Sequence, residues 1–278
     1  MAHLLDDFLR RLATERAILV SVRVTRGSVP REAGTWMAVF AQGQVGTIGG
    51  GHLEWDALRA CREQLKTQPQ GGAPWVHDVV LGPALGQCCG GALALDFEPV
   101  GADNMSDLRQ RLVEVSQPVA LFGGGHVGQA IVQALAPLPF AVTWVDSRDE
   151  VFPPALAGLA ATEHSDPVHA AVNDLPAGAF VLIMSFSHAE DLDIVAACLR
   201  RQRARADLPF VGLIGSQTKW ASFRSRLQAR GFAPAELAQV SCPIGLPGIR
   251  GKAPAVIAAS VVAQLLQVQS QSESARSG

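Results

Sequence analysis

The chain of 278 residues contains no tyrosine. That absence excludes any chemistry needing a phenol as acid or base, including the Tyr/Lys pair of short-chain dehydrogenases. Charge is also scarce: Asp, Glu, Lys and Arg make up 17% of the chain, with 23 basic against 25 acidic residues and a net charge of −2. So balanced a chain offers no field to hold a polyanion, and broad nucleic-acid binding is not expected. Long apolar runs are missing too. The stretches 115–145 and 253–267 are interrupted by Gly, Pro, Gln or Ser, so no membrane span is expected. The start, Met-Ala-His-Leu-Leu-Asp-Asp, lacks the basic residues and apolar core of a signal peptide. The cysteines number 5, and only two are adjacent. Reduced thiols in a cytoplasmic setting are the simplest reading of that odd, scattered set.

What is present is a globular composition, 48% apolar, which rules out disorder over most of the length. At roughly 150 residues per domain the length suggests two domains. The expected organisation is a mixed α/β domain over 1–100, a linker and lead-in helix over 101–116, a second domain over 117–268 and a frayed tail over 269–278. In the first domain, 4–13 and 52–66 have apolar residues at helical spacing, and 17–24, 36–40, 76–81 and 92–97 read as strands. From Pro118 the pattern becomes strand, helix, strand. Strands are expected at 119–122, 140–145, 179–184 and 210–214, with helices at 127–136, 192–200, 219–230 and 253–266. That alternation predicts a Rossmann-like, doubly wound parallel sheet.

Gly123-Gly-Gly-His-Val-Gly128 fits Gly-x-Gly-x-x-Gly between a strand and a helix. The following strand ends in Asp146, the acidic position such a fingerprint requires about 20 residues on. Gly123 permits the tight turn, Gly125 lets a pyrophosphate approach, and Gly128 lets helix and strand pack closely. The helix N-terminus offers unpaired N–H groups to an anion. Asp146 can accept from a ribose diol, or Arg148 beside it can meet a phosphate. His126 is either a plain helix-start residue or a ligand contact.

Three loops in the first half carry unusual residues. Gly46-Thr-Ile-Gly-Gly-Gly-His-Leu-Glu54 places Gly49, Gly50 and Gly51 ahead of a helix. Their N–H groups can form a nest for an anionic group. Glu54 can offer a bidentate acceptor to a heterocycle, or simply favour the helix dipole. Gly86-Gln-Cys-Cys-Gly-Gly91 presents the Gln87 amide and the adjacent thiols of Cys88 and Cys89, soft ligands and nucleophiles when deprotonated. Ser28-Val-Pro-Arg31 ends in an arginine for an anion or for solvent. In the second half, Ser185-Phe-Ser-His188 sits at a strand's C-terminal edge, and His188 with Asp191 is either a proton-transfer pair or a helix cap. Lys219 opens the helix after Gly212-Leu-Ile-Gly-Ser216. Cys61 and Cys198 fall in helical patterns and are expected in the core. Gly251-Lys252 fails as a P-loop, because Leu246 and Ala253 stand where glycine and Ser or Thr belong.

Together these motifs, with Asp146-Ser-Arg148 and Cys242-Pro-Ile-Gly-Leu-Pro-Gly248, resemble the xanthine dehydrogenase accessory proteins, the XdhC/CoxI family. The resemblance covers nearly the whole chain and departs at Phe186, where a histidine is the family-like residue. It implies a maturation and insertion factor rather than a turnover enzyme. Such a protein binds the molybdenum cofactor, shields it, supports its sulfuration by a cysteine desulfurase and passes it to apo xanthine dehydrogenase, with a homodimer expected. On this reading the cofactor contacts are Gly49, Gly50, Gly51, Glu54, Gln87, Cys88, Cys89, Gly123, Gly125, His126, Gly128, Asp146, His188 and Lys219. Cys88 or Cys89 suits the metal end or its sulfur chemistry. A nucleotide such as NAD(P) is the alternative occupant of the second domain, and an NAD(P)-dependent oxidoreductase the alternative function.

Overall fold

A computed structural model describes residues 2–68, 72–81, 90–113 and 116–277, the side chains at 2, 3 and 273–277 excepted. The chain divides into two units, Met1–Glu114 and Val115–Gly278.

The first unit is one antiparallel sheet with helices on both faces. Its strands are β1 (Ala17–Arg26), β2 (Trp36–Phe40), β3 (Gln44–Gly46), β4 (Trp75–Val80) and β5 (Ala92–Val100), in the order β3-β2-β1-β5-β4. Side chains alternate across a strand. Ile18, Val20, Met37 and Val39 therefore pack with Leu53, Ala57 and Cys61 of α2 (Gly51–Thr67). Their neighbours Ala17, Leu19, Trp36, Ala38 and Phe40 pack with Phe8, Leu9 and Leu12 of α1 (Ala2–Leu12). The helix expected as a lead-in to the second half is α3 (Met105–Leu112). It belongs to this unit, because fully buried Leu108 completes the α1 face of the core.

The second unit is a parallel sheet of β6 (Gln117–Phe122), β7 (Phe140–Asp146), β8 (Ala161–His164), β9 (Phe180–Ile183), β10 (Phe210–Leu213) and β11 (Val240–Ser241). The order β8-β7-β6-β9-β10-β11 is the 3-2-1-4-5-6 arrangement of dinucleotide-binding folds. Val119 and Leu121 face α4 (His126–Leu135) and α8 (Pro254–Ser277). Ala120 and Phe122 face α5 (His188–Arg205), α6 (Gln217–Ala229) and the short α7 (Pro234–Leu237). The sheet is thus doubly wound, as the alternating pattern predicts. The last helix, expected to end near residue 266, continues to Ser277. The order reverses between β6 and β9, so ligands belong at the carboxyl ends of those strands.

Candidate functional site

In the first unit the segment 28–31 meets both Gly49 and Gly91. A side chain added at Gly49 would stand 2.9 Å from Pro30 Cβ and 3.3 Å from Arg31 Cγ, so the loops around residues 30 and 49 touch. Gly91, just ahead of β5, donates its N–H to the Ser28 carbonyl at 3.1 Å and accepts from the Leu81 N–H at 2.8 Å. Gln87, Cys88 and Cys89 lie outside the described residues.

Glu54 organises the glycine loop. Its Oε2 accepts from the N–H groups of Ile48 and Gly50, each at 3.0 Å, and from the Thr47 hydroxyl. Its Oε1 accepts from Gln44 Nε2 at 3.0 Å. Thr47 Oγ1 in turn accepts from the Gly49 N–H at 3.1 Å. Burial opposes the charge on Glu54. The bonds from Thr47, Gln44, Gly50 and Ile48 outweigh it and hold the carboxyl below its ordinary range. The anion in this glycine nest is therefore the chain's own Glu54. A cavity of about 460 Å³ opens beside the loop, lined by Arg31, Glu32, Gly34, Thr35, Trp36 and Thr47 among others. On the first turn of α2, His52 stacks on Trp55 with ring centroids 5.6 Å apart, and Trp55 is 54% exposed.

In the second unit the glycine turn has the form the fingerprint predicts. A side chain at Gly123 would reach 2.0 Å from the Met184 carbonyl oxygen, and one at Gly128 would reach 2.1 Å from the Gly123 carbonyl oxygen. At Gly125 an added Cβ would meet nothing within 4 Å. Trp144 Nε1 donates to the Gly123 carbonyl at 2.9 Å and fixes the turn from beneath. No side chain caps α4, and His126 is exposed at its first position.

Asp146 is buried, and its oxygens are engaged by the chain itself. Oδ2 accepts from the Gly124 N–H at 2.6 Å and Arg148 Nη2 at 2.9 Å; Oδ1 accepts from Arg148 N and Nε, each at 2.9 Å. Burial disfavours the carboxylate, but the Arg148 fork and the two backbone donors together hold Asp146 below its ordinary range.

A further group lies at the ends of β9 and β10. Asp191 Oδ1 accepts from the Ser185 N–H at 2.8 Å and hydroxyl at 2.7 Å, and Oδ2 meets Lys219 Nζ at 2.6 Å. Lys219 also donates to the Ile214 carbonyl at 2.9 Å. Asp191 therefore pairs with Lys219, while the α5 cap is Ser187, which accepts from the Glu190 N–H at 3.2 Å. His188 stays exposed, its ring edge-on to Phe223 at 6.3 Å. Gly215 and Cys242, each within a motif, join this group. Gly215 has no side chain to displace Lys219 Cδ and Cys242 Sγ, which would stand 2.8 Å and 3.5 Å from an added Cβ. Cys242 also lines a cavity of about 450 Å³ with Gln217, Ile244, Leu246 and Ser260. Burial pushes its thiol up to about 11, and that of Cys61 and Cys198 to about 12.

Among the described residues no group of three or more His, Cys, Asp or Glu could hold a metal. No helix among them is long and apolar enough to cross a membrane. The implied molybdenum cofactor carries a phosphate, a donor-rich pterin and a sulfur-bound metal. The open face at Gly125 and the uncapped α4 fit the phosphate. Glu54 and Asp146 do not fit as free acceptors for the pterin, because their own loops already engage them.

A Rossmann-like unit with one open glycine face, in one chain with an antiparallel mixed unit, defines a two-unit α/β protein. Residues 119–265 match the XdhC Rossmann domain and 11–76 match the XdhC and CoxI family. The chain belongs to the XdhC and CoxI family. It is 31% identical over 256 residues to a protein of Escherichia coli (strain K12) described as uncharacterized protein YqeB, covering 88% of this chain and 42% of that protein. The chain thus spans about two fifths of that relative's length. A crystal structure from Bacillus halodurans described as a xanthine dehydrogenase superposes with a TM-score of 0.77 over 95% of each chain. At 19% identity that likeness shows the fold alone.

Proposed function

We propose that this protein is a maturation factor that binds the molybdenum cofactor, shields it, supports its sulfuration by a cysteine desulfurase and delivers it to apo xanthine dehydrogenase. It would act in the cytoplasm as a homodimer. Family membership supports the maturation role. The observation that carries the binding role is the meeting of the segment 28–31 with two motif glycines, Gly91 hydrogen-bonded to Ser28 and Gly49 packed on Pro30. In this reading Cys88 and Cys89 serve the sulfur-bound end of the cofactor. Glu54 holds the loop in shape rather than reading the pterin. The α4 N-terminus at Gly125 and His126 suits a phosphate. When bound, the cofactor supplies the metal–sulfur chemistry; the chain supplies grip and exclusion of water.

The test is transfer. Protein purified from cells making molybdopterin is mixed with apo xanthine dehydrogenase, with and without a cysteine desulfurase and cysteine. The proposal expects activation that exceeds that of free cofactor and depends on the desulfurase. Activation no better than free cofactor overturns it. The second reading, an NAD(P)-dependent oxidoreductase, is favoured by the strand order of the second unit. The closed state of Asp146 weighs against it.

A further inference from the structure

Dinucleotide-binding folds of this strand order use the acid at the end of the second strand to hold a ribose diol, with the pyrophosphate on the first glycine turn. Here that acid is Asp146, and β7 and β9 flank β6 on opposite sides. The turns that follow those two strands are joined to each other. Arg148, forked onto both oxygens of Asp146, lays its guanidinium over the Phe186 ring at 4.6 Å. Ser147 Oγ donates to Glu190 Oε1 at 2.7 Å in a second tie between the same segments.

We propose that Arg148, held between Asp146 and Phe186, is the specificity-determining residue of the second unit: it denies Asp146 to a ribose diol and closes the space between the two turns against an extended dinucleotide. The energetics favour this state. A ribose would have to replace a bidentate fork in which both partners are charged with bonds in which only the carboxylate is charged. Displacing the cation would also leave Asp146, 2% exposed, without its counterion. Phe186 is 67% exposed, so its hold on the guanidinium lies at the surface, where an entering ligand would have to part the two. The ligand of this unit is therefore one that needs no ribose diol at residue 146. This goes beyond the maturation role and does not depend on which protein receives the cofactor.

The experiment is an NADH titration, followed by fluorescence and by calorimetry, of the intact chain and three variants. Arg148→Ser frees Asp146 and opens the space. Phe186→Ala removes the ring that pins the guanidinium, so an entering ligand can turn Arg148 aside from Asp146, while the unliganded chain keeps the ion pair; it serves if Arg148→Ser folds poorly. Asp146→Asn with Arg148→Ser opens the space without the carboxylate. The proposal expects weak NADH binding by the natural chain, a gain of at least about tenfold in Arg148→Ser or Phe186→Ala, and loss of that gain in the double variant. It is overturned if the natural chain binds NADH as tightly as the opened variants, if neither opened variant gains, or if the gain survives without the carboxylate. Failure of cofactor delivery to apo xanthine dehydrogenase would not reproduce any of these results, so the two readings fail separately.

Discussion

Lys219 Nζ stands 2.6 Å from Asp191 Oδ2, joining the first turn of α6 to the first turn of α5. Both side chains are nearly closed to solvent, at 12% and 3% exposure. Removing one partner of such a pair leaves a buried charge without its counterion, at a cost of about 3–5 kcal/mol. Lys219→Met should therefore lower the urea midpoint strongly. Lys219→Met combined with Asp191→Leu should recover part of the loss. Urea unfolding followed by far-UV circular dichroism measures both.

The glycine turn yields a contrast between three positions. Gly123→Ala and Gly128→Ala each push a methyl group against a carbonyl oxygen, at 2.0 Å and 2.1 Å, and should yield little folded protein. Gly125→Ala meets open space at an ordinary backbone angle, φ −71°, and should fold normally. Equal melting temperatures for all three would contradict the packing described for this turn.

Glu54 has a definite acid signature. Its folded carboxyl lies below its ordinary 4.5, so its contribution to stability is complete above that value and declines as pH falls through the lower, folded one. Asp146 behaves in the same direction below its ordinary 3.8. Glu54→Gln removes the charge and should flatten part of this acid limb, at a cost of about 1–3 kcal/mol at neutral pH. Thermal melts between neutral and acid pH test the sign: an unchanged slope in Glu54→Gln would contradict the network.

The thiols should divide by burial. Cys61 and Cys198 are fully buried and pushed up to about 12. At neutral pH, iodoacetamide should leave both unmodified in the folded protein and label them after unfolding, as read by peptide mass spectrometry. Rapid labelling of either in the native state would contradict the core packing of α2 and α5.

Much of this architecture was legible in the residues because burial imposes a period. The alternation of Val119 and Leu121 with Ala120 and Phe122 marks a strand covered on both faces, and Gly-x-Gly-x-x-Gly after it marks the turn. β8 was missed because all four of its residues are exposed and carry no apolar alternation. β11 was missed because it is two residues long. The site was harder to read, since hydrogen-bond partners are chosen by three-dimensional neighbourhood. Asp146 looked like a ribose ligand, but Arg148 two residues on folds back onto it. Glu54 looked like a ligand acceptor, but Gln44, Thr47 and the loop's own N–H groups claim it. Asp191 was grouped with His188 by sequence spacing, yet its partner is Lys219 on the next helix. The Gly49–Pro30 contact has a visible signal, since three consecutive glycines point to close backbone approach, but the sequence does not say what approaches.

The most direct measurement of the central claim is the pterin and molybdenum content of the protein isolated from cells that make molybdopterin, compared with its Cys88→Ala and Cys89→Ala variants at equal folded yield. A cofactor carrier should hold near-stoichiometric pterin and molybdenum in the natural chain and lose molybdenum in at least one variant. A natural chain free of both, or full retention of molybdenum by both variants, would contradict it.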